Sequence, residues 1–283
     1  MRSGPPHWDV EISPRGRLLD LDLASLWRYR DLVAMFVRRD FVAFYKQTVL
    51  GPLWYVIQPL LVTSVFTLVF NRIANIPTDG LPPFLFYLTG LVAWNYFAAC
   101  LTKTSDVFTS NAGIFGKIYF PRLAVPVAIV ITNVATFAFQ FVLVCAFLVF
   151  FAMRGAPIMP TLWLFALPLF VLHLAALALG VGILLSSMTT RYRDMSFLVG
   201  FGTQLWLYAT PIVYPLSQVP EKWHWVMAFN PMTPIVEAFR KAVLGTGTVY
   251  SSHMVASVAF TAVVLLIGLV MFSRIARTSM DTV

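Results

Sequence analysis

Charge is what this sequence has least of. Only 11 % of its 283 residues are Asp, Glu, Lys or Arg, against about 25 % in soluble domains. A chain so poor in charge could not cover a water-facing surface. The shortage is also uneven. Fourteen of the charged residues lie in 1–46, and six windows elsewhere hold none: 47–71, 80–102, 123–153, 155–190, 195–220 and 242–273. A helix needs about 20 apolar residues to cross a bilayer core, and every window is longer. An aqueous helix keeps a polar face, so a soluble fold is excluded.

Other absences narrow the class. The apolar runs do not alternate with polar residues, as LVCAFLVFF at 143–151 illustrates. Barrel strands would be about 10 residues of alternating polarity. Helices are then the way to satisfy the backbone in lipid. No signal-peptide pattern is visible in the first 17 residues, and the expectation is a cytoplasmic tail. Cysteine is nearly absent. Cys100 and Cys145 sit inside separate apolar windows and read as small buried hydrophobes, not a disulfide or metal site. There is no GxxxxGK[ST], HExxH, CxxC or GxSxG; GIFGK at 113–117 has the wrong spacing to cradle phosphate. Asp and Glu are missing from every span interior, so a proton-driven carboxylate relay is not available. No catalytic residue, metal or cofactor is expected on this chain.

What is present fixes the topology. Spans are expected at about 53–72, 82–101, 123–152, 160–186, 195–214 and 255–273, preceded by a tail and interface helix over 1–52. Fifteen of the 20 basic residues then fall on the side of the N-terminus. The positive-inside rule puts both termini in the cytoplasm. The formal charge of +8 therefore reads as topology, and no nucleic-acid partner is expected.

Two segments fit neither a span nor a plain loop. Residues 31–46, DLVAMFVRRDFVAFYK, place Leu32, Val33, Phe36, Val37, Phe41, Phe44 and Tyr45 near helical spacing, with Arg38, Arg39 and Lys46 on a polar side. This is an amphipathic helix on the membrane surface or docked on a partner. Residues 215–254 hold Pro215, Pro220, Pro231 and Pro234 between apolar pieces too short to cross. They read as re-entrant short helices, which need shielding by protein or water at membrane depth; an external loop is the alternative. The fold class is an all-α polytopic membrane protein: six transmembrane helices, an amphipathic N-terminal helix and re-entrant helices between spans five and six.

Aromatics reach 15 % and gather near the expected outer ends of spans. They form either an interfacial belt or a sugar-stacking lining, for which Trp94, Tyr96, Phe97, Trp206, Tyr208 and Tyr214 are the candidates. His173 lies within span four, as a functional group or a neutral residue bonding across helices. The small residues of ALALGVG at 176–182 let helices approach closely.

Several strings, in order, resemble one family. They are RYRDL at 28–32, RRDFVAFYKQTVLGPLWYVIQPL at 38–60, LTGLVAWNYF at 88–97 and NAGIFGKIYFPRLAVP at 111–126. RYRDM at 191–195, YATPIVYPLSQVP at 208–220 and NPMTPIVEAFRKAVLG at 230–245 follow. Together they resemble the type-2 ABC exporter permeases for O-antigen, capsule and teichoic acid. The resemblance implies a half-transporter: a homodimer of permeases with two copies of a separate ATPase that holds ATP and Mg. It implies an ATPase contact at the N-terminal helix and the 103–122 loop, with Arg38, Arg39, Asp40, Asn111, Lys117, Pro121 and Arg122 as coupling candidates. Solvated flanking charge is the alternative for each charged one. It implies export of lipid-linked polysaccharide on undecaprenyl pyrophosphate from the inner membrane, through a channel lined by spans one, two and five. Arg72, Arg240, Lys241 or Arg122 could meet the pyrophosphate. Competing readings are an exporter of teichoic acid, drug or lipid, a membrane-embedded glycan enzyme, and a scaffold. The enzyme is disfavoured because only six acids lie outside the N-terminal tail (Asp79, Asp106, Asp194, Glu221, Glu237 and Asp281), spread over both membrane sides.

Overall fold

The computed structural model describes residues 23–46, 51–116, 120–192 and 194–278. Lys117, expected in the coupling surface, and Arg193 lie outside the described residues. Among these residues there are twelve α-helices and no strand. Helices α1 (Leu23–Arg28) and α2 (Arg30–Lys46) come first. Helix α3 (Trp54–Phe66) runs on as a π-helical stretch, Thr67–Ile73. Helix α4 (Pro83–Ser105) leads into the short α5 (Val107–Ser110) and α6 (Ala112–Phe115). Then come α7 (Ala124–Met153), α8 (Leu167–Thr189) and α9 (Met195–Ala209). The short α10 (His224–Phe229) and α11 (Met232–Leu244) precede α12 (Ser251–Thr278).

Five segments are long and apolar enough to cross a membrane: Trp54–Ile73, Pro83–Ser105, Ala124–Met153, Leu162–Thr189 and Ser251–Ile275. They coincide with five of the expected spans. Over 195–214, where the remaining span is expected, the structure has the shorter α9. Helix α9 has 15 residues, which rise about 22 Å and fall short of a hydrocarbon core of about 30 Å. The cause is Pro211. Its ring disfavours α geometry in the residue before it, and Thr210 is extended at φ −99, ψ 141.

Helix α4 is the centre of the bundle. It packs against α3, α7, α8, α9 and α11, and 78 % of its most apolar stretch is buried, against 17 % for α7 and 22 % for α12. Proline at its first turn suits the helix start, where the missing N–H has no partner to lose. Lipid is as apolar as leucine, so helices gain little from apolarity alone and must pack closely. Glycines provide that closeness. A Cβ on Gly180 would sit 2.9 Å from the Leu265 backbone, and one on Gly268 only 2.7 Å from the Gly180 carbonyl oxygen. A Cβ on Gly182 would meet the Thr104 side chain at 2.7 Å. The small-residue stretch at 176–182 thus joins α8 to both α12 and α4. Cys100 is buried in this core, but Cys145 is exposed on α7, which corrects the expectation that both thiols are buried.

Residues 215–254 fold as short helices. All of α11 except Lys241 is buried, which supplies the protein shielding that broken backbone needs. The helix ends at Gly245, whose φ of 84 is a left-handed geometry that glycine adopts without strain.

Candidate functional site

The bundle has two distinct ends. One carries α2, the α4–α7 connection and the α8–α9 turn, and is here the basic face. The other carries the α10–α11 hairpin.

At the basic face, α2 is amphipathic as its spacing predicts. Val33 and Phe36 are buried, while Arg38 and Arg39 are exposed. Phe36 packs on Phe120 at 5.7 Å between ring centroids, and Phe120 on Phe115 at 5.7 Å. Phe108 stacks on Phe272 of α12 at 4.7 Å. One aromatic cluster therefore ties α2, the 103–122 segment and the ends of α7 and α12 together. The two segments expected to form a coupling surface are brought side by side. Arg39 pairs with Asp40 at 2.8 Å and lies 4.9 Å from the Phe36 ring centroid. The Asn111 side chain donates to the Val107 carbonyl at 2.9 Å and closes α5. Pro121 is half-buried. Arg122 lies 5.6 Å from the Phe115 ring centroid, and burial lowers its pKa below the usual arginine value.

The aromatic candidates divide. Trp94 and Tyr96 are 3 % exposed and Phe97 0 %. They point into the protomer's own core, so they meet no channel in this structure. The reason is the central place of α4: an apolar helix has no polar face to tell which side meets protein. Trp206 crosses the boundary. Its ring packs on Phe97 at 5.1 Å and Trp94 at 6.4 Å, and its indole N–H donates to Asn230 Oδ1 at 2.9 Å. Tyr208 is 53 % exposed. Tyr214 donates to the Tyr208 carbonyl at 3.3 Å, and burial raises its pKa.

Asn230 was not singled out in the sequence, though it stands in the NP pair at 230–231. Its amide donates to Ala209 O and Thr210 Oγ1, each at 3.0 Å, and its Oδ1 accepts from Met232 N at 3.0 Å. It joins the end of α9 to the start of α11.

At the hairpin, Arg240 is corrected as a pyrophosphate ligand. It is 1 % exposed, as is Glu237. Their ion pair is 2.5 Å long. Arg240 also donates to Pro211 O at 2.9 Å and lies 3.9 Å from the Phe86 ring centroid. The second Glu237 oxygen accepts from Thr248 N at 2.9 Å. An enclosed charge survives only when so paired. This pair fastens α11 to α4 and to the turn after α9. The signal was opposite charges three apart on one helix, which face each other. Lys241 sits half-buried, 5.3 Å from the Trp163 ring centroid, and Arg72 is exposed. His173 bonds across helices: Nε2 is 3.0 Å from Thr261 Oγ1 and 3.3 Å from Ser257 Oγ, which donates to Pro231 O at 2.7 Å. Among the described residues no group of three or more His, Cys, Asp or Glu could hold a metal ion.

The model of the ABC-2 type transporter membrane family matches residues 31–244. The chain belongs to the ABC-2 type transporter family. The matched stretch runs from α2 through the whole hairpin, so the family pattern includes both ends of the bundle. The chain is 28 % identical to an O-antigen export system permease protein RfbA of Klebsiella pneumoniae, over 87 % of its own length and 92 % of the relative's. It is 27 % identical to the Myxococcus xanthus protein of the same name, over 76 % and 81 %. It is 24 % identical to the polysialic acid transport protein KpsM of Escherichia coli, over 84 % and 91 %. This ABC-2 chain is thus similar over more than three quarters of its length to proteins named for two polysaccharides, and it is a multi-pass membrane protein.

Proposed function

We propose that the chain is the membrane subunit of an ATP-driven exporter of lipid-linked polysaccharide, an O-antigen-like glycan on undecaprenyl pyrophosphate. The similarity, over 84–87 % of the chain, to relatives named for O-antigen and polysialic acid transport carries this reading. The basic face is cytoplasmic, with both termini, in the inner membrane. Two copies of the chain pair with two copies of an ABC ATPase, which binds ATP and Mg; this chain supplies no catalytic group.

The shape of each end supports a role. The aromatic cluster beneath α2 gives a stiff platform, and Arg38 and Arg39 project from it toward the ATPase. Asn111, Pro121 and Arg122 hold the adjoining segment. The glycan path lies where two protomers face each other, along α3 and α9. Leu61 and Val65 on α3, Leu68 on its π-helical continuation, and Phe201, Leu205 and Tyr208 on α9 are exposed in the single chain. Trp206, Tyr208 and Tyr214 supply the sugar-stacking faces, and Trp94 and Phe97 back Trp206 from the core, while Tyr96 packs on Phe137 of α7. Arg72 and Lys241 remain available to a pyrophosphate at the hairpin end.

The test is reconstitution of the chain with its ATPase in vesicles. ATP-dependent movement of lipid-linked glycan is expected. ATPase activity that ignores glycan and responds to apolar drugs would replace this reading. Reversal of charge at Arg38, Arg39 and Arg122 is expected to detach the ATPase in a pull-down while the chain still inserts.

A further inference from the structure

Two clefts adjoin the α8–α9 turn. The first lies between α4, α8 and α9 and has a volume of about 430 Å³. Its walls are apolar: Leu101 from α4, Leu185 and Met188 from α8, and Leu198, Gly202 and Trp206 from α9. Thr203 also lines it, but its hydroxyl is committed to the Val199 carbonyl at 2.7 Å. The second cleft, about 450 Å³, is open, and Phe197 lines it together with the polar side chains of Asp106, Thr109, Ser110 and Ser196. Ser196 donates to Asp106 Oδ1 at 2.6 Å. The first turn of α9 divides the two, since Met195 and Leu198 line the apolar cleft and Ser196 and Phe197 the polar one. Arg191 stands exposed in the turn that precedes this helix, its guanidinium 5.5 Å from the Tyr192 ring centroid. Met188 and Met195, which line the apolar cleft, flank this turn on either side, and Ser196 of the hydroxyl-and-carboxylate wall follows directly.

We propose that this junction is the loading site for the lipid-linked glycan. The polyprenyl chain lies in the α4–α8–α9 cleft, the pyrophosphate meets Arg191, and the first sugars hydrogen-bond to Asp106, Thr109 and Ser110. The inference rests on the glycan-export reading and names its substrate contacts. Three chemistries in this array match the three parts of the conjugate. A bilayer phospholipid matches the first two, but its small headgroup cannot extend along the wall of Asp106, Thr109 and Ser110 as a sugar chain does. The Asp106 carboxylate repels a phosphate and accepts hydroxyl protons from a sugar, so the anion belongs at Arg191 and the sugar beyond it. The cleft also reaches Trp206 at its other end, a residue of the proposed glycan path.

The chain with its ATPase, in nanodiscs without ATP, is titrated with a fluorescent polyprenyl-pyrophosphate disaccharide. Glycine positions give matched variants. A Cβ on Gly202 or on Gly200 would meet nothing within 4 Å, but only Gly202 lines the cleft. Gly202→Leu should weaken binding at least about tenfold, because lost methylene burial converts steeply to affinity. Gly200→Leu should stay near wild type. Arg191→Glu should weaken binding as well, and Asp106→Asn should weaken the glycan probe more than a sugar-free polyprenyl phosphate. Wild-type affinity in both Gly202→Leu and Arg191→Glu would overturn the loading site, and intact ATP-driven export in the same preparation would leave the transport reading standing. Equal displacement of the probe by phosphatidylglycerol would overturn it too, as an ordinary phospholipid groove. Absence of both binding and export in the wild type would defeat the two readings together. A second measurement needs no variant: a diazirine on the polyprenyl chain should crosslink to Leu185, Met188 or Leu198. Crosslinks confined to Leu266, which is exposed on α12, would contradict the proposal.

Discussion

Helices α4 and α9 carry similar residues, including a tryptophan each, yet their surroundings are opposite. Sixteen residues of α4 are buried, from Leu85 to Ser105, while α9 has one, Thr203. Phe197, Leu198, Phe201, Leu205 and Tyr208 of α9 are all more than half exposed. The contrast separates two duties that apolar sequence alone does not distinguish. Helix α4 is the post on which the protomer is built. Helix α9 is a short wall against that post, fixed at its far end by Asn230 and by the Arg240 bond to Pro211, and free to present a face to something else. The tryptophans follow the helices. Trp94 is packing, and Trp206 is half packing, half surface.

That contrast can be broken by substitution. The largest effect is expected from Glu237→Gln, which leaves Arg240 buried without its counter-charge. Removing one partner of such a pair costs about 3–5 kcal/mol. The purified transporter should melt well below wild type in detergent, and replacing Arg240 by Met as well should recover part of the loss. A melt unchanged by Glu237→Gln would mean that the hairpin does not hold α9's end. Next is Gly182→Leu, which drives a side chain into Thr104 of α4 and should cost about 1–3 kcal/mol by overpacking. Gly200→Leu on α9 should leave the melt unaltered; equal losses at both glycines would erase the distinction between post and wall. The smallest effect is in stability and the informative one in transport. Tyr208→Ala should shift stability by less than about 0.5 kcal/mol yet lower glycan export roughly two- to tenfold, the range of one aromatic contact. Undiminished export would take Tyr208 out of the glycan path.

The spans were legible because the requirement for about 20 apolar residues is local to each segment. Helical spacing likewise marked the buried side of α2 through Val33 and Phe36. The orientation of α4 was not legible. Every face of that helix is apolar, so nothing in its sequence marks Trp94, Tyr96 and Phe97 as core. The end of α9 was legible in principle from Thr210 and Pro211, but the apolar window ran past it and masked the stop. Arg240 looked like a free cation because its partner and its burial arise from the tertiary placement of α11 between α4 and the Pro211 turn. The loading cleft has no sequence signal beyond RYRDM, since a groove is a property of three helices at once.

Water accessibility along the two helices tests the account most directly. In a background with Cys100 and Cys145 replaced by Ala, single cysteines at Phe97, Phe201 and Leu266 are challenged with a membrane-impermeant maleimide in the assembled transporter. Labelling should be fast at 201, slowed by bound glycan, and negligible at 97 and at the lipid-facing 266. Labelling at 201 as slow as at 266, with or without glycan, would contradict the assignment of α9 to the glycan path.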